Sequence, residues 1–418
     1  QGIFRAKLTE EGSGIKGETL EHLIAADIAK APNFRPSGIT VAPDGSLYFM
    51  DWSQMLIGHL QHHLRDPKRD HQHGRLYRIT YEGRPLMEPK KIDGQPIPAL
   101  LELLKEPEND VRLRAKIEMG KRDSKEVTDA AAAWVKALDA KDSKYEHNLL
   151  EALWVHQWHN VVNLPLLKRV IESPEPRARA QGIRVLGYWR DRVPGALEMV
   201  KLAADDEAPR VRLEAVRVAS FFRETAAADA ALVTLKHPMD YYLDYCFKET
   251  MRQLKPWWQD TVAEGKEIAV GNPAGINYLL GSVPSTELVK LPKSPATLTA
   301  ILTRQDLPTK QLTAALSDLS ELEKKPPTGT LVSLIGATPA KDSRKLCHLL
   351  LQQSASDLKT VRPELEKLVA SRKGRVAHTA AAALIVADGS VEPAWRTAAK
   401  SPEAMNAFLA AIPLVPDA

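Results

Sequence analysis

The chain has 418 residues, enough for two or three domains. With 44% hydrophobic and 26% charged residues it is not disordered in composition, and no stretch approaches the ~18 consecutive apolar residues of a membrane span. The 57 basic and 53 acidic residues, net +4, are interspersed, which argues against a dedicated nucleic-acid surface.

The sequence opens at Gln1 and runs directly into strand-like residues, so the true N-terminus is expected upstream. From Gly2 to Leu8 the pattern alternates at period two, and Gly12, Gly14 and Gly17 are expected to break it. Those glycines formally match a dinucleotide fingerprint, but hairpin sequence follows where that chemistry needs a helix. Ser37 to Val41 leads into the turn Pro43-Asp44-Gly45, and Ser46 to Trp52 leads out, which predicts a hairpin. A third strand runs from Arg75 to Tyr81 and closes at Glu82-Gly83. Three antiparallel strands of this kind look like most of a propeller blade, so residues 1–95 are read as the end of a β-propeller, with its other blades upstream of Gln1.

Between the second and third of these strands, residues 53–74 carry His59, His62, His63, His71 and His73, five of the twelve histidines in the chain. Imidazoles at these spacings can converge on a transition metal, with Asp66 and Asp70 orienting the rings or adding oxygens. Two other readings stand beside this one: a pocket for an anionic substrate or quinone, and a structural or anion-binding network built from Asp51, Arg65, Asp66, Arg69, Asp70, Arg75 and Arg78.

From about residue 97 the pattern becomes helical and repetitive. Pro176-Arg177-Ala178-Arg179 and Pro209-Arg210-Val211-Arg212 match at an offset of 33 residues, Val111 to Ala115 is an earlier copy, and Leu150 to Leu153 fits between. Val211, Ala215, Val218 and Phe222 share one stripe, with Arg210, Glu214 and Arg217 expected to project elsewhere. Acidic residues and a proline at Asp205 to Pro209 suit a helix start. The fold class expected is mostly α: a HEAT/armadillo-like solenoid over 96–256, preceded by the small all-β segment and continued irregularly over 257–418, where prolines interrupt the period. His156 and His159 share a helix face, a conceivable metal pair, though groove-lining or buried rings are the commoner outcome. Cys246 and Cys347 form no CxxC or CxxCH motif and read as buried thiols. The usual hydrolase, NTPase and metalloprotease signatures are absent from the sequence.

Phe34-Arg35-Pro36-Ser37-Gly38-Ile39, Ala42 to Tyr48, Asp51-Trp52, Ile57-Gly58-His59, Gln61-His62-His63, Arg65-Asp66-Pro67, Arg69-Asp70-His71 and His73 to Arg78 together resemble the PVC-type haem-binding CxxCH proteins, which are membrane-bound-dehydrogenase-like. The resemblance is dense over residues 33–86 and looser through the repeats. It implies an exported, periplasmic parent protein in which a propeller similar to glucose and sorbosone dehydrogenases oxidises a sugar or polyol, with a quinone as a further implied cofactor. HEAT repeats would link that propeller to a domain carrying haem c. This chain departs from the pattern in having little of the propeller and no CxxCH. The function expected is therefore a scaffold fragment of such a redox protein, inactive alone, whose partners are adjacent domains or another protein. The alternative is a non-enzymatic protein-interaction module built on the solenoid.

Overall fold

The computed structural model describes residues 2–27, 29–54, 65–266, 268–399 and 401–415. Among them the chain divides into two compact units, Gln1–Leu254 and Lys255–Ala418. The first unit opens with seven short strands in three antiparallel sheets. β1 (Gly2–Ile3) pairs with β4 (Ile24–Ala25), β2 (Ala6–Glu11) with β3 (Gly14–Thr19), and β5 (Pro36–Val41), β6 (Leu47–Asp51) and β7 (Arg75–Ile79) form a meander. The meander contains the hairpin and third strand expected from the sequence. Its register sets Phe49 opposite Tyr77 on one face and Met50 opposite Leu76 on the other. Phe49 and Tyr77 stack with ring centres 5.0 Å apart, and Phe34 meets both edge-on.

One expectation fails here for a steric reason. Gly14 and Gly17 do not break the strand pattern but lie inside β3, and only Gly12, at φ +58°, makes the turn. A hairpin in this position also removes the dinucleotide motif, which needs glycines that open a helix.

Helices fill the rest of this unit: α1 (Ile97–Glu102), α2 (Asn109–Met119), α3 (Ser124–Ala137), α4 (Tyr145–Trp158), α5 (Leu164–Ile171), α6 (Pro176–Trp189), α7 (Ala196–Ala203), α8 (Pro209–Ala219), α9 (Thr225–Leu232) and the start of α10 (Tyr241–Ala263). The small all-β segment followed by an α-solenoid is the expected fold class. Pro176 and Pro209 occupy the first turn of α6 and α8, where no N–H is needed. α6 packs on α4 and α8 in one layer, while α7 packs on α9 in the other. Small residues set the spacing, since a side chain at Gly187 would come within 2.9 Å of Val218.

An arginine marks three of the repeat helices, α2, α6 and α8. Nη1 of Arg112 donates to the carbonyls of Glu106 and Pro107, that of Arg179 to Ser173 and Pro174, and that of Arg212 to Asp206 and Glu207. Each therefore reaches back six and five residues and satisfies carbonyls of the loop that precedes its helix.

Glu214 does not project to solvent as expected: it is fully buried and binds Arg184 and Arg217. Glu151 on α4 repeats the device with Arg112 and Lys116 of α2. Burial opposes ionisation of both carboxyls, but the hydrogen bonds and charges around them win and hold both below the ordinary range, His147 being the foremost partner of Glu151 and Arg184 of Glu214.

The second unit consists of the remainder of α10 and eleven further helices: α11 (Pro273–Ser282), α12 (Ser285–Leu288), α13 (Pro295–Thr303), α14 (Thr309–Glu323), α15 (Pro327–Ala337), α16 (Arg344–Leu351), α17 (Ala355–Thr360), α18 (Arg362–Ser371), α19 (Arg375–Asp388), α20 (Glu392–Ala398) and α21 (Pro402–Ala411). It carries its own repeated contact. Arg304, just past α13, donates to the carbonyls of Leu280, Gly281 and Val283 at the end of α11, and Arg372, just past α18, donates to Ile335, Gly336 and Thr338 at the end of α15. Each guanidinium satisfies terminal carbonyls and opposes the negative end of a helix. Among the described residues no helix is long and apolar enough to cross a membrane.

Candidate functional site

Two places in the first unit bring polar side chains together. The first lies at the end of β6. Asp51 is buried, and its Oδ1 accepts the backbone N–H of Arg35 at 2.7 Å and of Ser53 at 2.8 Å, while Arg75 donates to Oδ2 at 3.2 Å. Ser53 is held at φ +48°, an uncommon conformation for a residue with a side chain, where the chain leaves the sheet. Gln54 then reaches the carbonyl of Asp70, tying together the two ends of the histidine-rich loop.

The predicted site residues divide around this knot. His59, His62 and His63 lie outside the described residues. His71 and His73 are exposed, and Nδ1 of His73 sits 3.0 Å from the Asp70 carboxylate. Asp70 also accepts the backbone N–H of Gln72 and His73, which, Gln72 foremost, holds its carboxyl below the usual range. Asp66 caps a turn through the N–H of Lys68. Arg78 pairs with Asp44 and donates to Ser46, away from the Asp51 knot. Arg65 is exposed and Arg69 half-buried. Among the described residues no three His, Cys, Asp or Glu side chains are grouped to hold a metal.

Asp51→Ala leaves two buried N–H groups without an acceptor, and the expected cost is about 1–3 kcal/mol of local stability. The effect should appear as faster tryptic cleavage within 65–75, at Arg65, Lys68 and Arg69, with helix content unchanged. Unchanged cleavage would show that the knot does not restrain the loop.

The second place is the β2–β3 hairpin on the helices. Ser13, at its tip, donates to Asp240 through its backbone N–H at 2.6 Å and its hydroxyl at 2.7 Å, and its carbonyl accepts from Arg210 at 2.9 Å. Arg177 forks onto Glu10 at 2.7 and 3.1 Å. A side chain at Gly14 would come within 2.2 Å of the Tyr242 ring, so glycine is what lets the tip lie against α10. Burial works against ionisation of Asp240, but the N–H groups of Leu243, Ser13 and Tyr242 and the Ser13 hydroxyl together hold its carboxyl below the ordinary value.

Beneath the hairpin runs a groove of about 710 Å³ between its tip and α4, α6 and α8. Sequence reading missed this site. The residues that make it are the glycines read as strand breakers and the helix-start arginines read as part of the repeat pattern, and nothing local signals that they meet.

His156 and His159 do not form a ligand pair. His156 is buried against Asn163, and His159 approaches Ser124. Burial pushes both below the ordinary histidine value of 6.5. The folded chain therefore holds these protons less tightly than the unfolded one, so below about pH 6.5 the unfolded chain takes up more protons and stability falls as pH falls. His156→Gln should flatten that fall between pH 7 and 5 in urea titrations. An unchanged slope would assign the acid sensitivity to other groups. Of the two thiols, Cys347 is buried and Cys246 only half-buried.

Comparison with known proteins separates the chain along the same lines. Residues 3–83 match a model described as a domain of unknown function, DUF7133, and residues 163–243 match the model for HEAT repeats. The helices from α5 to the start of α10 are HEAT repeats, and the β region with the Asp51 knot lies within the first match. No curated protein matches the chain. Among solved structures, an engineered protein is similar to it at 16% identity and a TM-score of 0.25, over 76% of this chain and 88% of that one.

Proposed function

We propose that the chain is a helical scaffold whose repeats hold a β region in fixed orientation and present it to further domains or partners. The docking of the hairpin tip onto Asp240, Arg210 and Tyr242 carries this reading, because it fastens the β region to the repeat helices by specific polar contacts. A second feature supports the idea that the β region belongs to a larger β domain. Among its described residues the buried hydrophobic ones are Ile3, Phe34 and Phe49, whereas Leu8, Ile39, Val41, Met50, Trp52 and Leu76 are each at least half exposed. Small sheets with so little core need cover, and open strand edges beside exposed apolar side chains suit another β-sheet.

The finer reading is that the parent protein is an exported sugar- or polyol-dehydrogenase-like redox protein, the repeats standing between a propeller and a haem c domain. This chain has no CxxCH and cannot attach haem c itself. The histidine-rich loop fits a transition metal in one respect: Asp70 engages Nδ1 of His73, the pairing that orients a ligating imidazole. Elemental analysis tests this part. The reading expects stoichiometric metal in the purified chain and its loss in His62→Ala/His71→Ala, and a metal-free wild type contradicts it.

The redox reading is tested on the whole polypeptide encoded by the gene, with glucose and sorbosone as donors and a quinone-like dye as acceptor. Sugar-dependent dye reduction together with a c-type haem spectrum is expected. Their absence would leave the interaction scaffold as the function.

A further inference from the structure

We propose that Asp240 is a shared latch: it holds the β2–β3 hairpin when the hairpin is docked, and passes to Arg212 when the hairpin lifts, so that the hairpin detaches while the repeats stay intact. The inference rests on the scaffold reading above and adds how that contact is released. The repeats themselves identify the second partner. On α2 and α6 the Nε–H of the marking arginine donates to a carboxylate, Arg112 to Glu151 at 2.9 Å and Arg179 to Asp206 at 2.8 Å. Arg212 on α8 is buried, yet its Nε has no hydrogen-bond partner among the described residues.

Asp240 stands where Asp206 stands one repeat earlier. Each precedes a repeat helix, and the Oδ1 of each accepts the N–H two residues on, from Ala208 and from Tyr242. Asp206 then binds Arg179 through both oxygens, whereas Asp240 binds the backbone N–H and the hydroxyl of Ser13. Arg212 lies within reach, since its Nη2 donates to the carbonyl of Pro238, two residues before Asp240. Burial draws its guanidinium below the ordinary value, and the charges of Asp206, Asp240 and Asp205 oppose that. The hairpin tip has thus taken the acceptor that the repeat pattern assigns to Arg212. A buried donor without an acceptor is costly, so the docked hairpin is held against a standing demand for the same carboxylate. Turning Asp240 to Arg212 meets that demand with a charge-assisted bond, which offsets the loss of Ser13. β2 and β3 are exposed along almost their whole length, so little apolar burial opposes lifting.

Tryptic cleavage of the full chain at Lys7 and Lys16 reports the population of the lifted state. Arg212→Gln removes the rival partner and should slow that cleavage about tenfold, the equivalent of one good hydrogen bond. Arg179→Gln breaks the corresponding bond one repeat away and should leave it unchanged. The nitrogen–proton NMR signal of the Arg212 Nε–H is the second readout. In Gly14→Val, where the hairpin is lifted, it should move to the position of a carboxylate-bonded guanidinium, which Arg179 marks in the wild type. Cleavage of Arg212→Gln at or above the wild-type rate, or equal slowing in Arg179→Gln, would overturn the latch. If circular dichroism shows that Arg212→Gln does not fold, the NMR signal decides, and an Arg212 signal identical in Gly14→Val and wild type overturns it. Rapid cleavage of the wild type itself would overturn the scaffold reading together with the latch, whereas a docked hairpin indifferent to Arg212 overturns the latch alone.

Discussion

Asp240→Ala frees the β2–β3 hairpin from the helices while the repeats stay folded. The substitution removes the acceptor of both Ser13 hydrogen bonds and of the N–H groups of Tyr242 and Leu243 at the start of α10. Hydrogen bonds to a charged group and a helix N-cap are each worth a kcal/mol or more, and with solvent sharing a half-exposed carboxylate the expected loss is about 1–3 kcal/mol. Asp240→Asn retains one acceptor oxygen and should cost less. Gly14→Val should reproduce the alanine phenotype by a different route, since its side chain would collide with the Tyr242 ring. Because both variants break the same contact, the double substitution should cost little more than either alone. Tryptic cleavage at Lys7 and Lys16 is the readout; additive effects, or cleavage no faster than in the wild type, would mean that the hairpin is not held at its tip.

The second large effect is an asymmetry around Glu214. Arg184→Met/Arg217→Met leaves a fully buried carboxylate unpaired, at an expected cost of about 3–5 kcal/mol. Glu214→Gln is milder, about 1–2 kcal/mol, because the Arg184 and Arg217 side chains are 41% and 32% exposed and can turn to water. The pH dependence should invert between the two proteins. In the wild type the folded Glu214 carboxyl lies below its ordinary 4.5, so its stabilisation is present above that pH and is lost as pH falls through the folded value. In the double methionine variant burial without a partner raises the carboxyl, so the folded state takes up the proton first and stability rises on mild acidification. Urea midpoints from pH 7 to below 4.5 decide it, and parallel curves would place the charge outside the core.

The repeat was legible where copies keep a constant spacing. Pro176 and Pro209 start α6 and α8 as their offset predicted. The role of Glu214 was not legible, because one of its partners, Arg184, comes from a neighbouring helix and a buried, satisfied carboxylate has the same letter as a solvated one. In the second unit the spacing itself hides the pattern: Arg304 follows the first carbonyl it binds by 24 residues, and Arg372 follows its counterpart by 37, so no fixed period relates the two contacts. The meander was legible from its Asp-Gly turn and alternating residues, but the hairpin tip was not. Gly12 and Gly14 earn their places against Asp240 and Tyr242, more than two hundred residues away, and no local pattern carries that distance.

The account turns on the repeats holding the β region in place, and hydrogen exchange of the intact chain tests this most directly. The backbone N–H of Ser13, bonded to Asp240, should be protected to the same degree as the amides of α8, and Asp240→Ala should abolish that protection without altering α8. Rapid exchange of Ser13 in the wild type, with α8 protected, would contradict the account and leave the β region and the repeats as independent pieces.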